Sequence, residues 1–281
     1  MLYNVYFSAK GTTERCALKI AEAMGLEAKS INWLRMPARE ELEIGAADVL
    51  LFSMPVYGGF IPKHCADMAK YLKGHGGAAI ITAVYGNRHY DDALLEMKDI
   101  LMAQGFKVMA AGAFVAEHSI FPKVAAGRPD EHDLEVISEF GGRCRKLLER
   151  ITAETGSKDS SQSSAESAEF IAEAIASLPE LSLPGNKDYK AEFGGVPFKP
   201  EGDESCIGCR TCASVCPMGA IDKAEPKRTD RELCISCGAC IKACPTGSRN
   251  YYGPAYKTAA FGFEMKCSKR REPEVFFIKE V

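Results

Sequence analysis

The sequence predicts an α/β protein: a doubly wound, five-stranded parallel sheet followed by a small α+β domain built around cysteines. Three observations carry this. The first 154 residues alternate short apolar runs with helix-patterned segments, the signature of βαβ units. A polar, serine-rich stretch, GSKDSSQSSAES at 156–167, then breaks the alternation. Finally, eight of the twelve cysteines crowd between Cys206 and Cys244.

The expected strands are LYNVYF (2–7), a short stretch near 27–31, DVLLFS (48–53), AAIITAVY (78–85) and KVMAAGAFVA (107–116). The third and fourth are almost wholly apolar, as strands covered on both faces must be. Between them TTERCALKIAEAMG, KHCADMAKYLK and DDALLEMKDILMAQG repeat apolar residues at helical spacing. A last helix, 133–154, closes the unit, although the pair Gly141-Gly142 argues against an unbroken helix there. Residues 155–195 read as a linker carrying one helix, EFIAEAIASL, and a Gly- and Pro-rich extended segment that begins at 183 and runs on to 205. Residues 196–250 form the cysteine domain and 251–281 a C-terminal extension, whose final EVFFIKEV has the pattern of an added edge strand.

Composition narrows the function. A formal net charge of −3 leaves no footprint for a polyanion, so nucleic acid is not an expected partner. No stretch is apolar for long enough to span a bilayer, and no signal peptide is evident. The expected location is cytoplasmic, where clustered cysteines mean metal or catalysis rather than disulfides.

CIGCRTCASVCPMGAI at 206 and CISCGACIKACPTGSR at 234 align without gaps, 28 residues apart. Each is C-x2-C-x2-C-x3-C-P. Zinc sites draw two C-x2-C pairs from separate turns around one ion. Three cysteines spaced by twos instead wrap one face of a cubane, and the fourth cysteine of each copy serves the other cluster. This assigns Cys206, Cys209, Cys212 and Cys244 to one 4Fe–4S cluster, and Cys234, Cys237, Cys240 and Cys216 to a second. Gly208, Ala213, Gly238 and Ala239 leave room for backbone N–H groups at the sulfurs. The first copy carries Arg210 where the second has Gly238. A cation there raises the potential of cluster one if it lies near the cluster, and does little if it is solvated.

At the N-terminus FSAKGTTE (7–14) follows the first strand. It lacks the G-x4-G-K-S/T of a triphosphate loop and the dinucleotide G-x-G-x-x-G. Ser8, Thr12 and Thr13, with N–H groups at a helix start, suffice for one phosphate monoester. A plain turn with Thr12 as N-cap accounts for the same residues. Two further loops open at the same sheet edge, SMPVYGGFIPK (53–63) and AVYGNRHYDDAL (83–94), each with glycine and a tyrosine able to lie against a flat ring. Together the three loops suit a planar heterocycle on a ribityl phosphate.

Residues 200–250 resemble a bacterial two-cluster ferredoxin domain. Ser8–Thr13 is similar to the flavodoxin phosphate loop S/T-x-T-G-x-T, and GNRHYDD to the flavodoxin loop G-D-x-x-Y. In this order the two resemble the EFR-type flavodoxin–ferredoxin fusions, or ferrodoxins, of anaerobic bacteria. The resemblance implies FMN held by Ser8, Lys10, Gly11, Thr12 and Thr13, with Pro55, Val56, Tyr57, Gly58, Tyr85, Gly86, Asn87 and Tyr90 about the isoalloxazine. Lys10 replaces a usual threonine, exchanging a hydroxyl for a charge suited to the phosphate dianion. Asn87 replaces an aspartate, removing an anion beside a ring that becomes negative on reduction.

The implied function is electron transfer between two 4Fe–4S clusters and FMN, and on to a redox protein or reductase whose identity the sequence does not give. Two other readings remain: a flavin-dependent reductase of a small substrate, with His118 or Tyr85 supplying a proton, and a ferredoxin with a flavin-free docking domain. Cys16, Cys65 and Cys144 read as core packing, and the role of Cys267 is left open. His118 reads either as a loop hydrogen bond or as a contact to flavin or cluster domain. KCSKRREPE (266–274) reads as a solvated face or a dock for an acidic carrier. Electron donor, acceptor, direction of flow and oligomeric state are not set by the sequence.

Overall fold

The structure, a computed structural model, describes residues 1–35, 40–154, 164–189 and 195–279. Most of the serine-rich stretch, at 155–163, and the part of the extended segment at 190–194 lie outside the described residues.

The first half follows the alternation closely. In chain order come β1 (Leu2–Tyr6), α1 (Thr12–Met24), β2 (Ala28–Asn32), the two-residue β3 (Leu42–Glu43) and β4 (Val49–Pro55). Next are α2 (Lys63–Ala69), the two-residue β5 (Leu72–Lys73), β6 (Ala78–Tyr85), α3 (Ala93–Ala103), β7 (Lys107–Val115) and α4 (Glu131–Glu154). The five main strands are parallel in the order β7-β6-β4-β1-β2. That is the 2-1-3-4-5 order of flavodoxin-like sheets, whose ligands bind past the strand C-termini where the order reverses, here between β1 and β4. Every residue of β6 is buried, as the apolar run demanded.

Helix α4 runs unbroken through its glycine pair. The reason is packing: a side chain at Gly141 would meet the Ile20 carbonyl and the Ala23 methyl of α1, each at 2.8 Å. Glycine here lets two helices approach, a gain that outweighs its low helix propensity.

The second half contains α5 (Ser164–Ser177), β8 (Glu201–Gly202), α6 (Thr211–Ser214), α7 (Ala239–Ala243), β9 (Arg249–Asn250), α8 (Pro254–Lys266) and β10 (Glu274–Phe277). Strands β8 and β9 pair antiparallel. The repeat is visible in the backbone, since α6 and α7 each begin after a left-handed residue, Arg210 (φ 65°) and Gly238 (φ 79°). β10 adds antiparallel to β7, so the C-terminal extension returns to the first domain as the expected edge strand.

The basic run before β10 is exposed and is tied to the first domain at two points. Arg270 pairs with Asp130 at 2.6 Å, and the buried Arg128 grips Asp133 while donating to the Arg271 carbonyl at 2.6 Å. The domains also share a core. Cys237 and Ala239 belong to the same buried apolar cluster as the strands of the sheet.

Candidate functional site

The turn after β1 is built to leave donors free. Gly11 caps α1 in the left-handed region (φ 90°) with no side-chain hydrogen bond, so Thr12 is not the N-cap. Ser8 Oγ accepts from the Glu14 amide at 3.0 Å, and the Gly11 carbonyl accepts from Arg15 at 3.0 Å. The amides of Thr12 and Thr13 therefore have no partner among the described residues, at the positive end of a 13-residue helix. Ser8 rather than Thr12 thus supplies the side-chain acceptor at this helix start.

These residues open on a cavity in two chambers. The narrower, about 50 Å³, is lined by Ala9, Lys10, Thr12 and Thr13, by Pro55, Val56 and Tyr57, by Val84, Tyr85 and Gly86, and by 116–119. The wider, about 380 Å³, shares Val56, Tyr57, His118 and Ser119 and adds Gly58, Arg88, Asp91, Phe121 and Phe263. A narrow chamber at the turn after β1 thus adjoins a wider one walled by aromatic rings.

Most expected residues meet at this cavity, but Ser8, Gly11, Asn87 and Tyr90 do not line it. Asn87 is buried and faces the C-terminal segment: its amide donates to the carbonyls of Cys267 (2.8 Å) and Lys269 (2.9 Å) and accepts from the Arg271 amide (3.1 Å). Tyr90 is buried too, stacked on His89 and donating to Glu274 at 2.9 Å. Both tie β10 down rather than walling the cavity. The edge strand competes for the loop that flanks the ring in the simpler fold, and the sequence motif carried no sign of it.

His118 makes the loop hydrogen bonds of its first reading. Nδ1 accepts from the amides of Ile120 and Phe121, each at 3.1 Å, so the neutral ring carries its proton on Nε2. Burial, then Lys10 and Arg88, push its pKa down to about 4, which keeps it neutral. The ring stacks on Phe121 and meets Phe263 of α8 edge-on. A side chain at Gly86 would collide with it.

On the other side of the cavity lie the cysteines. One apolar hollow is lined by Cys216, Cys234, Cys237 and Cys240 and by no other cysteine. The Cys237 thiol feels Cys240, Cys216 and Cys234, while Cys212 feels Cys206 and Cys209, and Cys209 feels Cys244. The thiols thus fall into two groups, each drawing one member from the opposite copy of the repeat. Among the described residues no three Cys, His, Asp or Glu side chains converge as at a single-ion site.

Arg249 was missed by the sequence reading. It is 1% exposed and donates to the carbonyls of Pro200 (2.7 Å), Pro226 (2.8 Å) and Lys227 (2.9 Å). Burial raises the thiol pKa values of both Cys212 and Cys240, and the Arg249 charge works against that rise. The available signal was the repeat itself, because Arg249 occupies the position of Ile221 in the first copy.

The groups meet at Cys237. It lines both the hollow of the second thiol group and the narrow chamber, while Ile235 and Ser236 line the wide one. Tyr57 is wedged beside it, its hydroxyl pushed up by burial and then by Cys237, Cys65 and Tyr251.

Comparison with known proteins identifies part of the second half. Residues 205–248 match the family described as a 4Fe-4S dicluster domain, so the second half carries an iron–sulfur domain of the 4Fe–4S kind. No curated protein matches the chain. Among solved structures, the chain is similar to a flavodoxin from the domain Archaea (13% identity, 53% of this chain and 99% of that one, TM-score 0.39). It is similar also to oxidised flavodoxin 1 from Bacillus cereus (18%, 52% and 97%, 0.39) and to a WrbA-like flavodoxin from Agrobacterium tumefaciens (16%, 53% and 97%, 0.37). The protein is a flavodoxin-like domain joined to an iron–sulfur domain. No helix among the described residues is long and apolar enough to cross a membrane.

Proposed function

We infer that this chain is an electron-transfer iron–sulfur flavoprotein with two 4Fe–4S clusters and one FMN, in which the second cluster faces the flavin. The observation that carries this reading is the double position of Cys237, which lines both the thiol hollow and the chamber at the phosphate-type turn. When bound, the clusters supply one-electron chemistry and the flavin one- or two-electron chemistry.

The residues present fit these groups. Cys206, Cys209, Cys212 and Cys244 would hold the first cluster, and Cys234, Cys237, Cys240 and Cys216 the second. The free Thr12 and Thr13 amides would receive the phosphate. Tyr57, Gly58, Gly86 and His118 would enclose the ring, with neutral His118 offering Nε2–H as a donor. Ile235 and Phe263 keep water from the space between ring and cluster. The first thiol group opens outward: Cys209 is exposed and Ile207 is 69% exposed. Electrons would enter or leave at the first cluster and reach the flavin through the second.

Anaerobic purification tests the reading. The expected product has about eight iron and eight sulfide per chain, as two 4Fe–4S clusters require, and one FMN released by acid. Zinc in place of iron, or full iron with no flavin under any loading condition, would overturn it.

A further inference from the structure

Two lysines cross the boundary between the domains in opposite directions. Lys10, from the turn after β1, lies along the start of α7, where a side chain at Gly238 would meet Lys10 Cδ at 3.4 Å. Its ammonium turns back to Glu117, at 3.3 Å. Lys242, on α7, reaches the other way. Its Nζ stands over Gly11, 2.5 Å from where a methyl group on that residue would lie. Among the described residues Lys242 has no carboxylate partner.

The result is a local gathering of positive charge, with Lys242 itself exposed and Glu14, in the first turn of α1, accepting from the Tyr6 hydroxyl. The free amides of Thr12 and Thr13, the positive end of α1 and the ammonium of Lys242 gather around one glycine. An anion placed among these groups would be attracted by all of them. Lys10, which the sequence offered as the counter-charge, is already neutralised by Glu117.

The geometry points to Lys242 as the cation that binds the flavin phosphate, supplied to the flavodoxin-like domain by the iron–sulfur domain. This rests on the FMN reading and extends it: holding the phosphate and holding the 235–237 loop against the cavity become one event. By linkage, whatever docking adds to phosphate affinity, phosphate adds to docking. A chain that has lost its flavin then holds its second cluster less firmly at the cavity, so the cluster is aligned for exchange when there is a flavin to exchange with.

The test titrates full-length, iron-loaded, flavin-depleted protein with FMN and separately with riboflavin, following flavin fluorescence. Lys242→Gln is expected to weaken FMN about tenfold, the worth of one charge-assisted hydrogen bond, and to leave riboflavin, which has no phosphate, unchanged. Lys242→Arg is expected to restore most of the loss. Lys10→Gln is expected to change FMN affinity by about threefold or less, as for a charge already paired. Unchanged FMN affinity in Lys242→Gln overturns the inference, as does equal weakening of both flavins, or a larger loss from Lys10→Gln. A wild-type protein that binds neither flavin overturns the FMN reading itself, and this inference with it.

Discussion

The guanidinium of Arg249 lies against the thiol of Cys240 while its charge also reaches Cys212, so one buried cation serves a cysteine from each thiol group. Arg210, which broke the repeat more visibly, is exposed at the head of α6 and water screens it. A cation beside a cluster favours its more negative, reduced form. Arg249→Met is therefore expected to lower both cluster midpoints in an EPR-monitored titration, whereas Arg210→Gly moves them far less. The buried hydrogen bonds lost to three carbonyls should also cost stability, on the order of 1–3 kcal/mol. Equal and small shifts from both variants would remove Arg249 from the tuning of the clusters.

Asn87 gives a second test, because its sequence role and its observed role predict different outcomes. Restoring the aspartate of the flavodoxin motif, Asn87→Asp, would make the flavin harder to reduce if the side chain faced the ring. Here its amide is engaged by the carbonyls of Cys267 and Lys269. The aspartate would set a carboxylate against two carbonyl oxygens in a buried site, at a cost of about 2 kcal/mol or more. The expected result is a lower urea midpoint with an unchanged flavin potential.

Much of the fold could be read from the chain because its signals are local. The all-buried β6 follows from an unbroken apolar run, and the thiol pairing follows from cysteine spacing. What could not be read depends on contacts distant in sequence. Asn87 and Tyr90 sit in a recognisable motif, yet their partners lie some 180 residues away in the C-terminal segment. Nothing near 87 encodes that strand's return. Gly141-Gly142 misled for a similar reason, since only the helix opposite explains why glycine is needed at 141. Lys242 carries no motif of its own, and nothing near it in sequence points to Gly11. Their meeting is a property of the docked domains.

Two buried groups give opposite pH dependences that substitutions can separate. Burial raises the Glu96 carboxyl from 4.5 to about 7, against a hydrogen bond from the Ile61 amide at 2.7 Å. The folded state then holds this proton more tightly than the unfolded chain, so the associated stability is complete below pH 4.5 and is lost as pH rises to about 7. Glu96→Gln keeps an acceptor for Ile61 without the charge, and should stabilise by about 2 kcal/mol at pH 8 and little at pH 4.5. His64 has the reverse sign. Burial lowers it from 6.5 to about 4, and its Nδ1 is buried without a partner. Its contribution is present above pH 6.5 and lost as pH falls toward 4, so His64→Phe should flatten the acid side of a urea-monitored stability profile.

The order of the relay can be tested by removing one cluster at a time. Cys234 belongs to the second thiol group but does not line the cavity, whereas Cys209 belongs to the first and is exposed. Cys234→Ser should disturb the second cluster and leave the phosphate turn intact. With a protein electron donor in anaerobic stopped flow, the first cluster should still bleach in this variant, while the bleaching of flavin absorbance slows by at least about tenfold for want of a neighbouring carrier. Cys209→Ser should slow both signals together, because the entry point is damaged and everything behind it waits. With a small reductant able to reach the cavity directly, Cys209→Ser should recover its flavin signal. If Cys234→Ser bleaches its flavin as fast as wild type while lacking the second cluster, electrons do not pass by Cys237, and the position of that residue between hollow and chamber is only packing.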